Sequence, residues 1–455
     1  MLKRNIKLVF STNALMLCSG VVTSLLGAWA LGPEGRGDLI VVLMWPGIFV
    51  LLAQIGLPMA YRFWAAKRPE SISALFSNAV ILALVVGCSA MGLAWLIIPL
   101  LIGHRSPEVV RLAQIYALMI PMTLLTDLLR GLLEGARRFR WVAALRLVFF
   151  GAQLVIYVFL WAEGRLTVAT AMYTVIVTAA ISLVVSLFAI SRELRPRWQP
   201  EFGELRTSLR YGLRDYPGVL TEFVNWRLDL MMLVGMASSS SIGLYSIAVR
   251  LSDITTVLAS SVSDALMPEV AASKKADEAT RIVSRSLRLT LVAHLLILVP
   301  LWIVAPYILR FAYGEAFVPV TNVMRLLMLA SVIWSAGAIV IAGLNGLDHP
   351  GLSTFSRIAA ALVMVVTLTW WLPRWGIYGA ALASITGYSV MFGGALFWFL
   401  RQQKITFREC MRPRWDDVPD VIKPPALRAQ LRTFTGWPRQ SDPEARDALA
   451  GSIDA

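Results

Sequence analysis

The sequence predicts an all-α polytopic membrane protein, with twelve transmembrane helices arranged as two pseudo-symmetric six-helix lobes. Three observations carry that prediction. Of 455 residues, 57% are hydrophobic and 15% charged, against roughly 25% charged in ordinary soluble domains, and mean hydropathy is +0.68. Apolar runs long enough to cross a bilayer, about 20 residues each, recur along the chain. The loops between them alternate between basic and nearly neutral.

Twelve runs reach that length, at about 8–31, 38–61, 74–102, 109–134, 141–162, 166–190, 213–237, 241–267, 287–313, 318–346, 352–373 and 376–400. The basic connections are the N-terminus (Lys3, Arg4, Lys7), 62–68, 130–140, 192–214, 274–288 and the tail from Arg401. The alternate connections, LGPEGRGD at 31–38, AEGR at 162–165, ASSSS at 237–241 and YGEA at 313–316, carry little net charge. Only 103–111, with His104, Arg105 and Arg111, departs from the alternation. Lys and Arg favour cytoplasmic loops, so both termini are expected in the cytoplasm, with an even number of crossings. MLKRNIK is basic, but the apolar run behind it is too long for a cleavable signal and lacks a small-residue cleavage site.

An internal repeat divides the chain. Residues 31–69 and 237–275 share a plan of helix, tight turn, glycine (Gly37 or Gly243), helix and basic exit. RGLLEG ending at Gly135 resembles AGLNG ending at Gly346, and each is followed eleven residues on by an arginine, Arg146 and Arg357. The offset is 206 to 211 residues in these pairs (243 − 37 and 346 − 135). This gives lobes at 1–190 and 213–400 with a cytoplasmic linker at 191–212, and parallel repeats place a site between lobes. Residues 401–455 are polar and without apolar period, and read as a mostly disordered or weakly helical cytoplasmic tail.

Composition also excludes several classes. Cys18, Cys88 and Cys410 make neither a disulfide framework nor a zinc site, and His104, His294 and His349 show no ligand spacing. The net charge of +14 sits mostly at span ends, as topology signals rather than a nucleic-acid surface. No GxGxxG site, P-loop or metal cluster is present, so no cofactor or metal is expected. The short non-cytoplasmic loops leave no room for an extramembrane catalytic unit, which argues against an enzyme, a membrane-embedded polymerase included.

Against this apolar background, ionisable residues inside the spans stand out, because each costs several kcal/mol unless it faces an interior or wet cavity. Span seven carries Glu222, Arg227 and Asp229; span eight carries Ser246, Arg250, Asp253, Ser260 and Asp264 at helical spacings that form one stripe. Asp127, Arg130 and Glu134 share a stripe on span four, and Arg325 lies on span ten. Arg250 and Asp253, or Arg130 and Glu134, are also spaced to pair along a helix, a purely structural role that competes with a binding one. The tryptophans divide similarly between interfacial belts and sugar stacking, with Trp45, Trp226 and Trp334 the deeper ones.

Helix–LGPEGRGD–helix, then FVNWRLDLMMLVG and SIGLYSIAVRLSD, resemble the polysaccharide flippases of the multidrug/oligosaccharidyl-lipid/polysaccharide exporter superfamily, relatives of the MATE drug exporters. The resemblance reaches to about residue 400. It implies alternating access between two lobes in the bacterial cytoplasmic (inner) membrane, moving an undecaprenyl-pyrophosphate-linked oligosaccharide to the outer leaflet. Partners would be that lipid-linked oligosaccharide, membrane lipids and other polysaccharide assembly proteins. On this reading Arg227, Arg250, Arg325, Arg146 and Arg357 line a cationic central cavity, since guanidinium stays charged and grips phosphate in a fork. Glu222, Asp229, Asp253 and Asp127 serve as charge partners or in coupling, and Trp226, Trp334 and Trp45 stack on sugars. The alternative is a cation-coupled drug exporter of the same fold. Those use a carboxylate in the first span, and Ser11–Ala30 contains none. The lipid II flippase branch has fourteen spans and arginines in its first two, neither of which is expected here.

Overall fold

The structure, a computed structural model, describes residues 2–273 and 276–412, without the side chains of 2–15, 17, 18, 215, 218, 219, 222, 224–226 and 276. Among these residues every regular element is helical. Long apolar runs in a bilayer can satisfy backbone N–H and C=O groups only within their own helix or a closed barrel.

Helix α1 (Leu2–Gln54) takes in the first two runs, but it is a hairpin. Gly32 sits at φ 62°, a region glycine enters freely and other residues rarely. Beyond it Arg36 hydrogen-bonds the Ser24 carbonyl, twelve residues back, at 3.0 Å; along a straight helix that separation would be about 18 Å. The expected loop at 31–38 thus shrinks to a turn at Gly32, and Arg36 stands on the second arm. Helix α14 (Pro350–Gln403) reverses in the same way at Gly376 (φ 53°). A Cβ on Gly379 would lie 2.3 Å from the Trp371 carbonyl oxygen, a contact only a folded-back chain can make.

With these two hairpins opened, helical passes follow in order. The first six are 2–31; 33–54 continued by α2 (Leu57–Lys67); α3 (Ile72–Leu82) joined by a π-turn to α4 (Cys88–Ile102); α5 (Pro107–Tyr116) with α6 (Met119–Gly135); α7 (Phe139–Ala162); and α8 (Val168–Glu193). The second six are α9 (Phe202–Met236); α10 (Ser239–Asp253) with α11 (Thr256–Ala272); α12 (Ala276–Ile308); α13 (Thr321–Gly346); and the two arms of α14. Among the described residues eight helices are long and apolar enough to cross a membrane, nine if the bent α10–α11 pair counts as one. Connections alternate between a turn end (Gly32, 103–106, 163–167, 237–238, Gly314, Gly376) and a basic end (68–71, 136–138, 194–201, 347–349).

The repeat is visible as matched contacts. A Cβ on Gly37 would lie 1.7 Å from the Ser239 carbonyl oxygen, and one on Gly243 would lie 1.8 Å from that of Pro33. Both pairs of equivalents differ by 206 (243 − 37 and 239 − 33), so α1 and α10 cross through one self-complementary backbone contact. Gly135 packs in the same manner on Arg62 and Ala65 of α2, and Gly346 on Met267 and Val270 of α11.

Two boundaries differ from expectation. The connector is only 194–201, because α8 reaches Glu193 and α9 starts at Phe202. It is pinned rather than loose: the N–H groups of Arg197 and Gln199 donate to Ser73 and Ser77 Oγ (3.1 and 2.8 Å), and Asn78 Nδ2 donates to the Glu201 carbonyl at 2.9 Å. At the other boundary α14 continues to Gln403, and α15 (Phe407–Met411) follows with a Thr406–Glu409 capping box. Arg288 Nη1 donates to the Cys410 carbonyl, holding α15 on α12. The expected disorder beyond residue 412 lies outside the described residues.

Candidate functional site

Two arginines meet where α1 crosses α10. Arg36 Nε donates to Ser246 Oγ at 3.1 Å, and its Nη1 and Nη2 donate to the carbonyl and Oγ of Ser24 at 3.0 and 3.1 Å. Arg250, one turn beyond Ser246 on α10, donates from Nη2 to the Gly20 carbonyl at 2.6 Å. That places the guanidinium against α1, where a Cβ on Gly20 would sit 2.7 Å from Nη2. The two cations act on one another electrostatically, with Tyr157 and Tyr313 beside both. Neither forms an ion pair among the described residues. The expected Arg250–Asp253 pair is therefore absent: α10 carries the guanidinium to α1, while Asp253 turns to the opposite side. Neutral oxygens accept the hydrogen bonds of both cations, and Asp253 acts on Arg250 only electrostatically, without an ion pair. That arrangement is costly without an anion.

The acids gather behind α10. Asp229 is buried on α9: Oδ2 accepts from the Tyr245 hydroxyl at 2.6 Å and the Ser384 hydroxyl at 3.4 Å, and Oδ1 accepts from the Leu230 N–H at 2.7 Å. Asp229 and Asp253 line a cavity of about 30 Å³ together with Ser252, Thr256, Ser331, Trp334 and Tyr388. On the order of one or two water molecules would fill it. The bend of 47° between α10 and α11 opens beside this cavity. It also breaks the single stripe expected on span eight: Ser246 and Arg250 face α1, whereas Ser260 and Asp264 lie exposed on α11, which packs on α12 and α13.

At the turn end a polar seam joins the halves. Arg105 donates to the Val234 carbonyl at 3.0 Å, to Ser239 Oγ at 3.1 Å and to the Ala237 carbonyl. Ser239 Oγ in turn donates to Asp38 Oδ1 at 2.5 Å. A guanidinium from one half thus satisfies carbonyls at the C-terminus of α9, which carries the negative end of the helix dipole.

The other expected residues fall elsewhere. Asp127 accepts from Gln54 Nε2 at 2.6 Å and pairs with Arg130 at 2.9 Å, and Arg62 and Arg130 share Glu134 at 3.5 and 3.9 Å. Arg325 faces α12, donating to the Trp302 carbonyl at 3.3 Å and Asn322 Oδ1 at 3.2 Å, apart from the Arg36–Arg250 crossing. Arg146, Arg227 and Arg357 are half-buried, with Arg227 in electrostatic reach of Asp253 and Arg250. Trp334 lines the acidic cavity, and the Trp45 indole N–H is buried without a partner among the described residues. Glu222 and Trp226 stand on α9, and their side chains are among those not described. Sequence reasoning missed Arg36, Arg105, Tyr245, Ser384 and Tyr388. The signal for the first two was their sign: they are arginines in loops where alternation predicts none.

Comparison with known proteins gives the family. Residues 28–322, more than half of the chain, match the family described as polysaccharide biosynthesis protein. The probable low-salt glycan biosynthesis flippase Agl15 of Haloferax volcanii is 21% identical over 236 residues, 51% of this chain and 49% of that one, so the chain spans about half the length of this curated relative. Among solved structures, an inward-facing MATE family multidrug resistance transporter of the MOP superfamily superposes with a TM-score of 0.72 at 14% identity, covering 85% of this chain and 94% of its own. Lipid II flippase MurJ in an inward closed conformation gives a TM-score of 0.69 at 14% identity, covering 97% and 96%. At such identity these two establish the fold alone. With its helical passes and the family match, the chain is a multi-pass membrane protein belonging to the polysaccharide biosynthesis protein family.

Proposed function

We propose that this protein is a flippase that translocates a lipid-linked glycan, an undecaprenyl-pyrophosphate-linked O-antigen, capsule or exopolysaccharide repeat unit, from the inner to the outer leaflet of the bacterial cytoplasmic membrane. The observation that carries this reading is the Arg36–Arg250 crossing: two guanidinium groups hydrogen-bonded to neutral oxygens, with no ion-paired carboxylate among the described residues. Their unspent charge suits a pyrophosphate, whose oxygens accept the forked N–H groups. Arg227, Arg146, Arg357 and Arg325 extend the cationic lining. Trp334 and Trp45, with Trp226, offer apolar faces to sugar rings.

The basic end is taken as cytoplasmic, because Lys and Arg concentrate there. Residues 1–190 and 213–400 then act as two lobes that rock about the α1–α10 crossing. Substrate enters from the cytoplasmic side past the exposed face of α11, and the pyrophosphate reaches Arg36 and Arg250 beneath the closed seam of Arg105, Ser239 and Asp38. Parting that seam exposes the same arginines to the other side. The chain contains no ATP-binding motif. Asp229 and Asp253, with Asp127, are the groups able to exchange a cation or proton as the lobes move.

The test is glycan display in a strain lacking this gene, with lipid-linked intermediates extracted and weighed. Loss of the surface polymer with undecaprenyl-pyrophosphate oligosaccharide trapped on the cytoplasmic side supports the reading and identifies the glycan. Unchanged surface glycan with altered dye efflux overturns it in favour of a drug exporter.

A further inference from the structure

One face of α9 is left uncovered at the basic end. Phe202, Arg206, Arg210, Leu213 and Arg214 are exposed along it, Phe202 at 78% and Leu213 at 53%. The opposite face packs on the first half of the chain through the Phe63–Tyr211 stack at 4.7 Å and the Arg68–Glu204 pair at 3.1 Å, and Ser208 is fully buried there. Spacing of four residues sets the three arginines about 6 Å apart along the axis. None has an ion-pair or hydrogen-bond partner among the described residues. Glu204, in the first turn of the helix, is committed to Arg68 on the packed side.

Their depth follows from length. The 35 residues of α9 extend about 52 Å, well beyond the hydrocarbon thickness of about 30 Å. Met236 ends the helix at the turn end, so about its last 20 residues fill the hydrocarbon core. Arg214, about 4 Å beyond the core, then lies in the headgroup layer, and Arg210 and Arg206, about 10 and 16 Å beyond it, face the membrane surface from the aqueous side.

We infer that this arginine face binds the anionic phospholipids of the cytoplasmic leaflet. The inference rests on the orientation proposed above. The occupant is bulk anionic lipid rather than one substrate headgroup because of shape. The face is convex and open, and Arg206 to Arg214 spans about 12 Å, whereas a small-ligand site is concave. Several phosphates fit along it, forked by the guanidinium groups that reach them, while Leu213 reaches toward the acyl-chain ends. Since 194–201 is pinned to Ser73, Ser77 and Asn78, lipid held here anchors the first half of the chain while the second half rocks.

The experiment titrates phosphatidylglycerol against phosphatidylcholine into the full-length protein in neutral detergent, with bound lipid counted by native mass spectrometry. Wild type is expected to prefer phosphatidylglycerol. R206Q/R210Q/R214Q should lose about fivefold per arginine, the equivalent of about 1 kcal/mol each near an anionic surface, and the difference should shrink as salt rises. R206K/R210K/R214K keeps the charge and should keep most of the preference. Unchanged phosphatidylglycerol binding by the glutamine variant overturns the inference. So does a glutamine variant that loses undecaprenyl pyrophosphate but retains phosphatidylglycerol, which would assign the face to the carrier. Binding needs no transport, so R36Q separates the two ideas: it should lose glycan export and keep phosphatidylglycerol. An R210C thiol labelled by impermeant reagent from outside the cell, rather than in inverted vesicles, would overturn the orientation itself.

Discussion

Arg36 and Arg250, unlike Arg130 with its pair to Asp127, have only neutral oxygens as hydrogen-bond partners among the described residues. If they hold a pyrophosphate, each supplies a charge-assisted bond worth about 1.5–3 kcal/mol. R36Q and R250Q should therefore each lower export about ten- to hundredfold, with the protein still inserted at its usual level, measured as surface glycan against membrane-extracted protein. Tyr245 acts differently, through Asp229. Y245F removes the 2.6 Å bond to Oδ2 from a buried carboxylate and should cost about 1.5–3 kcal/mol of stability, read as a lower unfolding temperature in detergent. Arg250 was legible in the sequence as a cation inside an apolar run. Tyr245 was not, because a tyrosine in a span reads as ordinary apolar filling until its hydroxyl is seen to meet an acid.

Among the elements, the α1–α10 crossing is the tightest test. Backbone approaches backbone there, with 1.8 Å available to a Cβ on Gly243. Fitting a methyl group means forcing the helices apart, and overpacking of this kind costs about 1–3 kcal/mol. G243A is thus expected to weaken the closed turn end and to lower export without touching either arginine, with thiol labelling of an S239C probe from outside the cell rising in parallel. Unchanged labelling would mean that the crossing does not hold the seam shut. Helix α9 shows what local pattern could not give. Its first part reads as linker and the rest as span seven, yet it is one helix, packed on α2 near its beginning and on α14 near its end. Which residues of one long helix serve which half depends on neighbours far away in the chain.

For the whole molecule, the proposed alternating access makes a directional prediction. In a background with Cys18, Cys88 and Cys410 replaced, S260C on α11 should react with impermeant thiol reagent from the cytoplasmic side and be protected from outside. Substrate and a coupling ion should invert that pattern in part. Reactivity from outside alone would reverse the orientation and, with it, the direction of transport. The repeat was legible as a recurring plan with glycines 206 residues apart. That the two glycines touch across the molecule was not, since a repeat fixes resemblance between halves and leaves their docking open.

The sequence by itself determined the class: apolar runs can only be helices in lipid, loop charge sets their alternation, and the repeat divides them. It also supplied Arg250, Asp229 and Asp253 as groups too costly to bury idly. Tertiary structure decided which of them meet. Arg36 moved from a supposed loop to the core because one glycine reverses the chain within a single residue. Arg250 left Asp253 for α1 because helical spacing allows a pair but does not compel it. Proximity between distant segments comes from packing, and no local pattern of residues encodes it.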